Sequence, residues 1–157
     1  FEKEYIGTIR FGVETDTLDS TGKVVKKWPI PNLTKDKVSR ALESFIGNIE
    51  QIPPMYSALK KNGQPLYKLA RKGITVERKP RTVHVSNIEI LDLCNETLTL
   101  KINCGKGTYI RSLAKDLANA LGTGGHLETL IRTKIGPYHK QNSVKLNDLQ
   151  EWLHSIH

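Results

Sequence analysis

Residues 97–121, TLTLKINCGKGTYIRSLAKDLANAL, place a strand directly before a helix. Apolar and polar residues alternate over 97–104, which is the period of a half-buried strand. Two glycines then interrupt the alternation, and apolar residues recur at helical spacing over 110–121. We interpret Thr108 as the N-cap of this helix and Gly122 as its stop.

An arginine, Arg111, stands in the first turn of that helix. A helix N-terminus is already positive, so a cation there is unfavourable by about 0.3–1 kcal/mol. We therefore expect an anion opposite Arg111. It is either an acidic neighbour at the surface, or an anion or active-site carboxylate held at the strand–helix junction. The Gly-Lys-Gly-Thr run at 105–108 lacks the first glycine of the phosphate-binding loop, which excludes that nucleotide site.

The whole pattern predicts an α+β fold with a mixed, largely antiparallel sheet flanked by helices. Its order is β-β-α, an irregular basic segment with a short helix, then β-β-α-β-α. The predicted strands are 5–13, 23–28, 82–93, 97–104 and 130–138. The predicted helices are 34–47 with Thr34 as N-cap, 65–72, 108–121 and 146–156. We expect 49–59 to be irregular because of its two prolines, and 122–125 to be a flexible glycine loop.

Positive charge is concentrated in one segment. The net charge is +8, and residues 51–81 hold eight basic residues and one acid, so they carry seven of those eight charges. A basic segment on a near-neutral domain indicates a polyanion-binding surface, with a merely solvated lysine-rich face as the alternative. Aromatic and apolar residues inside the segment favour an ordered binding loop.

Composition sets further bounds. A chain of 157 residues is enough for one domain, and its apolar runs are far too short for a membrane span. Cys94 and Cys104 show no metal-ligand spacing, and we expect buried free thiols in a reducing cytosol. His126 has no ligand partners at metal spacing, which favours a structural role. The sequence starts without Met inside a strand-like pattern, which we interpret as an internal start.

Three blocks of this sequence resemble the TruB-type tRNA pseudouridine-55 synthases. They are KEYIGTIRFGVETDTLDSTGKVV, IPPMYSALKKNGQPLYKLARKGITVER and CGKGTYIRSLAKDLANALGTGGHLETLIRTKIGPY. The resemblance runs through nearly the whole chain in the family's order and spacing. Its most specific part is Gly-Thr-Tyr-Ile-Arg.

The resemblance implies an isomerase of the cytoplasm that converts a uridine of the tRNA T-loop, position 55, into its C-glycoside isomer. The family uses neither a metal nor a cofactor. A catalytic aspartate attacks the substrate, the glycosidic bond breaks, and the uracil turns and rejoins through C5. The target base must leave the stack to reach the pocket. The partner is therefore the T-stem-loop of tRNA, and we expect a monomer that binds no membrane.

Residue roles follow from the same resemblance. Tyr5 corresponds to the tyrosine that stacks on the flipped base, although a core aromatic is an equal alternative on position alone. Arg111 corresponds to the arginine paired with the catalytic aspartate, and Tyr109 and Leu130 to further members of the pocket. Residues 51–76 correspond to the RNA-gripping insertion. Its expected RNA contacts are Lys60, Lys61, Lys68, Arg71 and Lys72.

The catalytic aspartate of the family lies in a glycine-rich block upstream of the Lys-x-Tyr motif, where this sequence begins. Asp16, Asp19 and Asp116 lie in other contexts. We therefore expect residues 1–157 to be a partial catalytic domain, without the nucleophile or a C-terminal RNA-binding module, and inactive alone. The alternatives are a non-catalytic RNA-binding module and the guide-RNA-dependent enzyme of archaea and eukaryotes. The compact IPPMYSALK run argues against the latter.

Overall fold

A five-stranded antiparallel sheet forms the centre of the computed structural model, which describes residues 2–135. In chain order the elements are β1 Lys3–Phe11, β2 Val13–Thr15, β3 Val24–Lys27, α1 Lys35–Glu43, β4 Gly47–Gln51, β5 Lys60–Lys61, β6 Gln64–Pro65, α2 Leu66–Arg71, β7 Arg81–Leu93, β8 Thr97–Cys104, α3 Ile110–Ala120 and β9 Gly125–Ile135. The order across the sheet is β4-β7-β8-β1-β9, and β2-β3 and β5-β6 form two small hairpins. The predicted α+β class is confirmed.

The core lies between one face of this sheet and the two longer helices. Alternate residues of β8 (Leu98, Leu100 and Ile102) are buried, as the period of two predicts. The apolar stripe of α3, which includes Leu113 and Leu117, belongs to the same buried cluster. Burying each such side chain contributes on the order of 1.5–3 kcal/mol. The core therefore fixes α3 on the sheet and places the N-terminus of α3 at one end of it.

Strands extend into parts of two predicted loops. Residues 47–51 form β4, because β7 offers a free edge and pairs with it from Gly47↔Val85 to Gln51↔Arg81. Within the stretch predicted to be irregular, residues 52–59, which contain both prolines, form neither helix nor strand. At the other end β9 begins at Gly125 and not at residue 130, because β1 pairs with it as far as Phe11↔Gly125.

The glycine loop before β9 is also more ordered than expected. Thr123 is buried, and Gly124 O accepts a hydrogen bond from Gly12 N at 2.7 Å. A Cβ at Gly124 would overlap the indole ring of Trp28. Glycine is therefore required at this position for close approach of a ring to the backbone.

Among the other predictions from local sequence patterns, some are confirmed and one is wrong. The cap of α1 is confirmed, because Thr34 Oγ1 accepts from Lys37 N at 3.2 Å. The β7–β8 hairpin is confirmed as well. The prediction of two buried thiols is wrong for Cys94, which is exposed in the turn of that hairpin, whereas Cys104 is buried. No helix in the described part of the chain is long and apolar enough to cross a bilayer. The predicted helix 146–156 lies outside the described residues.

Candidate active site

A cavity of about 660 Å³ opens beside the N-terminus of α3. Its walls come from the turn after β2, residues 56–58, α2, the start of α3 and β9. Small-molecule sites in proteins have volumes of about 300–1,000 Å³, so a nucleoside could be accommodated. Three of the predicted pocket residues, Tyr109, Arg111 and Leu130, line it together.

Arg111 holds two walls of this cavity in place. Its Nη1 donates to Thr17 O at 3.0 Å, and its Nη2 donates to Tyr56 O at 2.8 Å. Both acceptors are backbone carbonyls, so the expected anion is not a direct partner of Arg111 within residues 2–135. Burial lowers the pKa of Arg111, and the charges of Asp19 and Tyr109 oppose that effect. The guanidinium is thus a partly desolvated cation with three further N–H groups for a ligand.

Tertiary contacts, and not a local cap, fix the start of α3. The N-cap is Tyr109, so the prediction of Thr108 is wrong; the Thr108 hydroxyl donates to Gly105 O at 2.9 Å instead. The buried amide of Gln51 supplies the cap, because its Oε1 accepts from Tyr109 N at 3.0 Å and its Nε2 donates to Tyr109 O at 3.1 Å. Ser112 Oγ donates to Ile52 O at 2.9 Å. Strand β4 and the segment after it are therefore tied to the helix that carries Arg111.

Asp19 is the carboxylate of the cavity. It is only 8% exposed, and its Oδ1 accepts from Thr17 Oγ1 and Thr21 Oγ1, each at 2.6 Å, and from Thr21 N at 3.0 Å. Burial by itself raises the pKa of the Asp19 carboxyl. The hydrogen bonds from Thr17 and Thr21 and the charge of Arg111 outweigh burial and hold that pKa below its ordinary value. A fixed anion and the Arg111 cation therefore line the same cavity.

Sequence reasoning assigned Asp19 to a turn and did not place it in the pocket. A signal was present, because threonines stand two residues before and two residues after Asp19. That spacing allows both hydroxyls to reach one carboxylate in an Asx-type turn. The turn is also tied to β9, since Leu127 N donates to Leu18 O at 2.9 Å and Ser20 N donates to Leu127 O at 3.1 Å.

The opposite wall comes from the insertion. Ser57 is 6% exposed, and its Oγ is buried with no hydrogen-bond partner among the described residues. The backbone of Ser57 is fixed, because its carbonyl accepts from Tyr67 N at 3.0 Å. The guanidinium of Arg71 lies 5.1 Å from the centre of the Tyr67 ring, and both side chains line the cavity. This wall therefore offers a hydroxyl, an aromatic ring and a cation.

Tyr5 lies apart from these residues. It is half-buried on β1, between Ile102 of β8 and Arg132 of β9, and it packs against the core. Burial raises the pKa of Tyr5, and the charge of Arg132 opposes this. Tyr5 is not among the residues that line the cavity. Its stacking role stays a prediction.

The five predicted RNA contacts are all exposed. Lys60 and Lys61 form β5, Lys68 and Arg71 lie on α2, and Lys72 caps that helix. Of these, Arg71 alone reaches the lining of the cavity. The other four lie on the outer surface of the insertion.

His126 has a structural contact. It is buried on β9, and its Nδ1 lies 2.7 Å from Val13 O, which makes Nδ1 the donor. Within residues 2–135 no group of His, Cys, Asp and Glu side chains is arranged to hold a metal ion.

An antiparallel sheet with a partly open polar cavity beside the start of α3, bordered by a basic segment, defines an α+β protein with a concave site next to a positively charged surface. The TruB family model, described as the N-terminal domain of the pseudouridylate synthases, matches residues 1–110. A second model, the C-terminal domain of tRNA pseudouridylate synthase B, matches residues 111–156. This chain belongs to the TruB family.

Curated relatives agree with that assignment. The tRNA pseudouridine synthase B of Francisella philomiragia is 49% identical over 151 residues, which is 96% of this chain and 50% of the relative. The enzyme of the same name from Francisella tularensis subsp. novicida is also 49% identical, with the same coverage. The chain thus spans about half the length of the curated relatives that it matches.

Solved structures share the fold. A Cbf5-Nop10-Gar1 complex aligns with a TM-score of 0.62 at 27% identity, over 96% of this chain and 36% of the solved chain. An archaeal box H/ACA sRNP Nop10-Cbf5 complex aligns with a TM-score of 0.56 at 25% identity, over 98% and 34%. Identity is much higher to the bacterial relatives than to these complexes.

Proposed function

We propose that this chain forms part of a cytoplasmic enzyme that isomerises uridine 55 in the T-loop of tRNA to pseudouridine. The observation that carries the proposal is the convergence of Tyr109, Arg111 and Leu130 on one cavity beside the basic insertion. The volume of the cavity, about 660 Å³, is sufficient for a base that has left its stack, and the insertion offers cations for the RNA backbone. Family membership supplies the reaction class.

In this proposal the flipped uridine packs against Tyr109 and Leu130. Arg111 already donates to two carbonyls, and its remaining N–H groups face the catalytic aspartate. A neighbouring cation lowers the pKa of an aspartate and keeps it ionised, as a nucleophile requires. That aspartate belongs to the family's glycine-rich block, which is not present in the 157 residues. No step requires a metal or a cofactor.

Asp19 is proposed to position Arg111 and not to attack the substrate. One oxygen of its carboxylate already accepts three hydrogen bonds, which stabilise the charge that a nucleophile would have to donate. Ser57 Oγ is buried beside the cavity without a partner among the described residues, and we propose it as a candidate hydrogen-bonding group for the substrate.

The test compares the 157-residue chain with a chain extended through the family's glycine-rich block. Each is incubated with unmodified tRNA, and pseudouridine is detected by carbodiimide modification. We expect turnover by the extended chain alone. Turnover by the 157 residues would move the nucleophile to this sequence, with Asp19 as the first candidate. RNA binding without turnover by the extended chain would favour a non-catalytic RNA-binding module.

A second measurement tests whether the insertion contributes to the affinity for tRNA. Replacing Lys60, Lys61, Arg71 and Lys72 with Ala should weaken tRNA binding and flatten its salt dependence. Each lost phosphate contact reduces the slope of log K against log salt by roughly 0.7–0.9. Unchanged affinity and slope would contradict the role of the insertion.

A further inference from the structure

One residue in the turn after β2 has a strained backbone. Among residues 2–135, the non-glycine residues with positive φ are Leu18, at 67°, and Asn62, at 52°. Asn62 precedes Gly63 in the two-residue turn of the β5–β6 hairpin, where an Asn-Gly pair favours this geometry. Leucine has no short polar side chain that could stabilise the left-handed region, so the surrounding structure must hold Leu18 in it.

Hydrogen bonds on both sides hold Leu18 in this conformation. Its N–H donates to Thr15 O at 3.3 Å, and its carbonyl accepts from Leu127 N at 2.9 Å. Ser20 N donates to Leu127 O at 3.1 Å, so the turn is paired with β9 on both sides of Asp19. In the described part of the chain, the Leu18 side chain belongs neither to the buried core nor to the apolar residues that pack against it. We attribute the fixed conformation to the backbone bonds.

Leu18 lies directly between two residues of the candidate site. Thr17 O accepts from Arg111 Nη1 at 3.0 Å, and Asp19 lines the same cavity. The Thr17 carbonyl belongs to the peptide group that ends at the Leu18 nitrogen, and this group is planar. Rotation about φ of Leu18 therefore turns that carbonyl relative to Asp19. A change in the sign of φ would alter how the two groups are placed relative to each other.

We propose that Leu18 is a positioning residue of the site, whose left-handed backbone directs Thr17 O to Arg111 and the Asp19 carboxylate into the cavity. The inference rests on the proposed function. Leu18 does not line the cavity itself and acts through its two neighbours. Strain of this kind persists where the surrounding structure holds a functional geometry. In this proposal the backbone conformation at residue 18 matters, and the leucine side chain does not.

The test compares two variants of similar side-chain size in the extended chain, Leu18→Asn and Leu18→Val. Asparagine tolerates positive φ, whereas a β-branched residue does not. At saturating tRNA we expect a single-turnover rate close to wild type for the Asn variant and a rate lower by about tenfold for the Val variant. The Asn variant should also have the higher Tm. Leu18→Ala is a milder change that should lie between them, and it replaces the Val variant if that variant does not fold.

Leu91 provides the matched control. It is 45% exposed on β7, its φ is not positive, and it does not line the cavity. A strand favours valine over asparagine, so Leu91→Val should have a higher Tm than Leu91→Asn, the reverse of the order at residue 18. Neither Leu91 variant should change the single-turnover rate. The same order of Tm at both residues would mean that φ does not govern the effect at Leu18, and the proposal would be overturned.

A double-mutant cycle tests whether Leu18 acts through Asp19. If it does, Leu18→Val should lower the rate much less in an Asp19→Asn protein than in wild type. A merely structural role would lower Tm in both backgrounds and leave the rate of the folded protein unchanged. Equal losses of rate in the two backgrounds, or equal rates for Leu18→Asn and Leu18→Val, would contradict the proposal.

The pH dependence of unfolding separates this proposal from the proposed reaction. Burial raises the pKa of the Asp19 carboxyl, but the hydrogen bonds from Thr17 and Thr21 outweigh burial and hold that pKa below its ordinary value. The contribution of Asp19 to stability is therefore present above about pH 4 and is lost as pH falls. That loss should be kept in Leu18→Asn and be smaller in Leu18→Val.

The outcomes remain distinct if the chemistry fails. An extended chain that forms no pseudouridine overturns the proposed reaction, and the pH measurement then decides by itself whether Leu18 positions Asp19. A smaller acid loss in Leu18→Val than in Leu18→Asn supports the positioning role. Equal acid losses in the two variants overturn it.

Discussion

Arg111 joins two loops and faces the cavity with the same guanidinium. Its hydrogen bonds to Thr17 O and Tyr56 O fix the turn after β2 and the first part of the insertion. The charge of Asp19, which lines the same cavity, favours the charged form of Arg111 without forming an ion pair with it. A single side chain therefore couples the shape of the site to its electrostatics.

Replacing Arg111 tests this coupling. Arg111→Lys keeps the charge but loses the planar fork, and in the proposed enzyme Arg111→Ala would also leave the catalytic aspartate unpaired. A broken buried pair costs on the order of 3–5 kcal/mol, which corresponds to a fall in single-turnover rate of about two orders of magnitude or more. The affinity for tRNA should change far less, because the proposed phosphate contacts are made by other residues. Loss of affinity in full proportion to rate would make Arg111 a phosphate ligand.

The Asp19 carboxylate should leave a signature in the pH dependence of stability. Its pKa is held below the ordinary value of about 3.9, so the unfolded chain takes up the proton first as pH falls. The stabilisation is therefore complete above that ordinary pKa and is lost as pH falls through the folded pKa. Chemical denaturation of wild type and Asp19→Asn should give a difference in unfolding free energy that shrinks below about pH 4. A difference that grows towards acid pH would mean that the shift has the opposite sign.

Two buried serines, Ser112 and Ser57, differ in whether the hydroxyl has a hydrogen-bond partner among the described residues. Ser112 Oγ donates to Ile52 O, so Ser112→Ala should lower the free energy of unfolding by about 1 kcal/mol. Ser57 Oγ has no partner among the described residues, so Ser57→Ala should be close to neutral or slightly stabilising. If the Ser57 hydroxyl contacts the substrate, the same change should lower kcat/KM in the extended chain. Equal losses of stability in both variants would show that Ser57 has a protein partner.

At the scale of elements, the start of α3 depends on its neighbours. Its N-cap residue, Tyr109, makes no side-chain capping bond, and the amide of Gln51, at the end of β4, bonds both the backbone N–H and the C=O of Tyr109. The helix N-terminus, the sheet edge and the insertion are thus one connected unit. A change in any of them should reach the cavity.

Substitutions at the two candidate caps distinguish this arrangement from a local one. Gln51→Ala removes two buried hydrogen bonds and should lower the free energy of unfolding by about 2 kcal/mol. Thr108→Ala removes one bond to Gly105 O and should cost about 1 kcal/mol or less. Urea denaturation measures both. A larger cost at Thr108 would restore it as the effective cap.

At the scale of the whole molecule, the two matched family models meet inside one helix. The boundary at residues 110 and 111 falls within α3, and β9 from the second part pairs with β1 from the first. The buried Leu113, Leu117 and Leu127 all come after the boundary. The described residues on both sides of it therefore share a single core.

A chain that ends at residue 110 should not fold on its own. It would lack three buried leucines worth on the order of 1.5–3 kcal/mol each, and β1 would be left as an open sheet edge. Stabilities of domains are about 5–15 kcal/mol in total, so this loss is a large fraction. Circular dichroism should show no cooperative thermal transition for residues 1–110, in contrast to residues 1–157. A cooperative transition in the shorter chain would show that the first part is independently stable.

Local patterns along the chain are enough to predict the strands with alternating residues, the cap of α1 and the helical stripe of α3. Each rests on neighbours close in the chain, where the periods of strands and helices are visible. It also singled out Arg111 as a candidate site residue, since an uncompensated cation at a helix start implies an electrostatic partner. The concentration of positive charge in residues 51–81 is likewise visible in the sequence.

Residues that are distant in the chain are brought into one site by the fold. Strand β4 exists because β7 offers an edge to a segment with weak local signals, and Gln51 caps a helix 58 residues away. Asp19 became part of the cavity because β9 holds its turn beside Arg111. Hydrogen bonds and charges act over a few ångströms in space regardless of separation along the chain, so these partners appear only when the chain is folded.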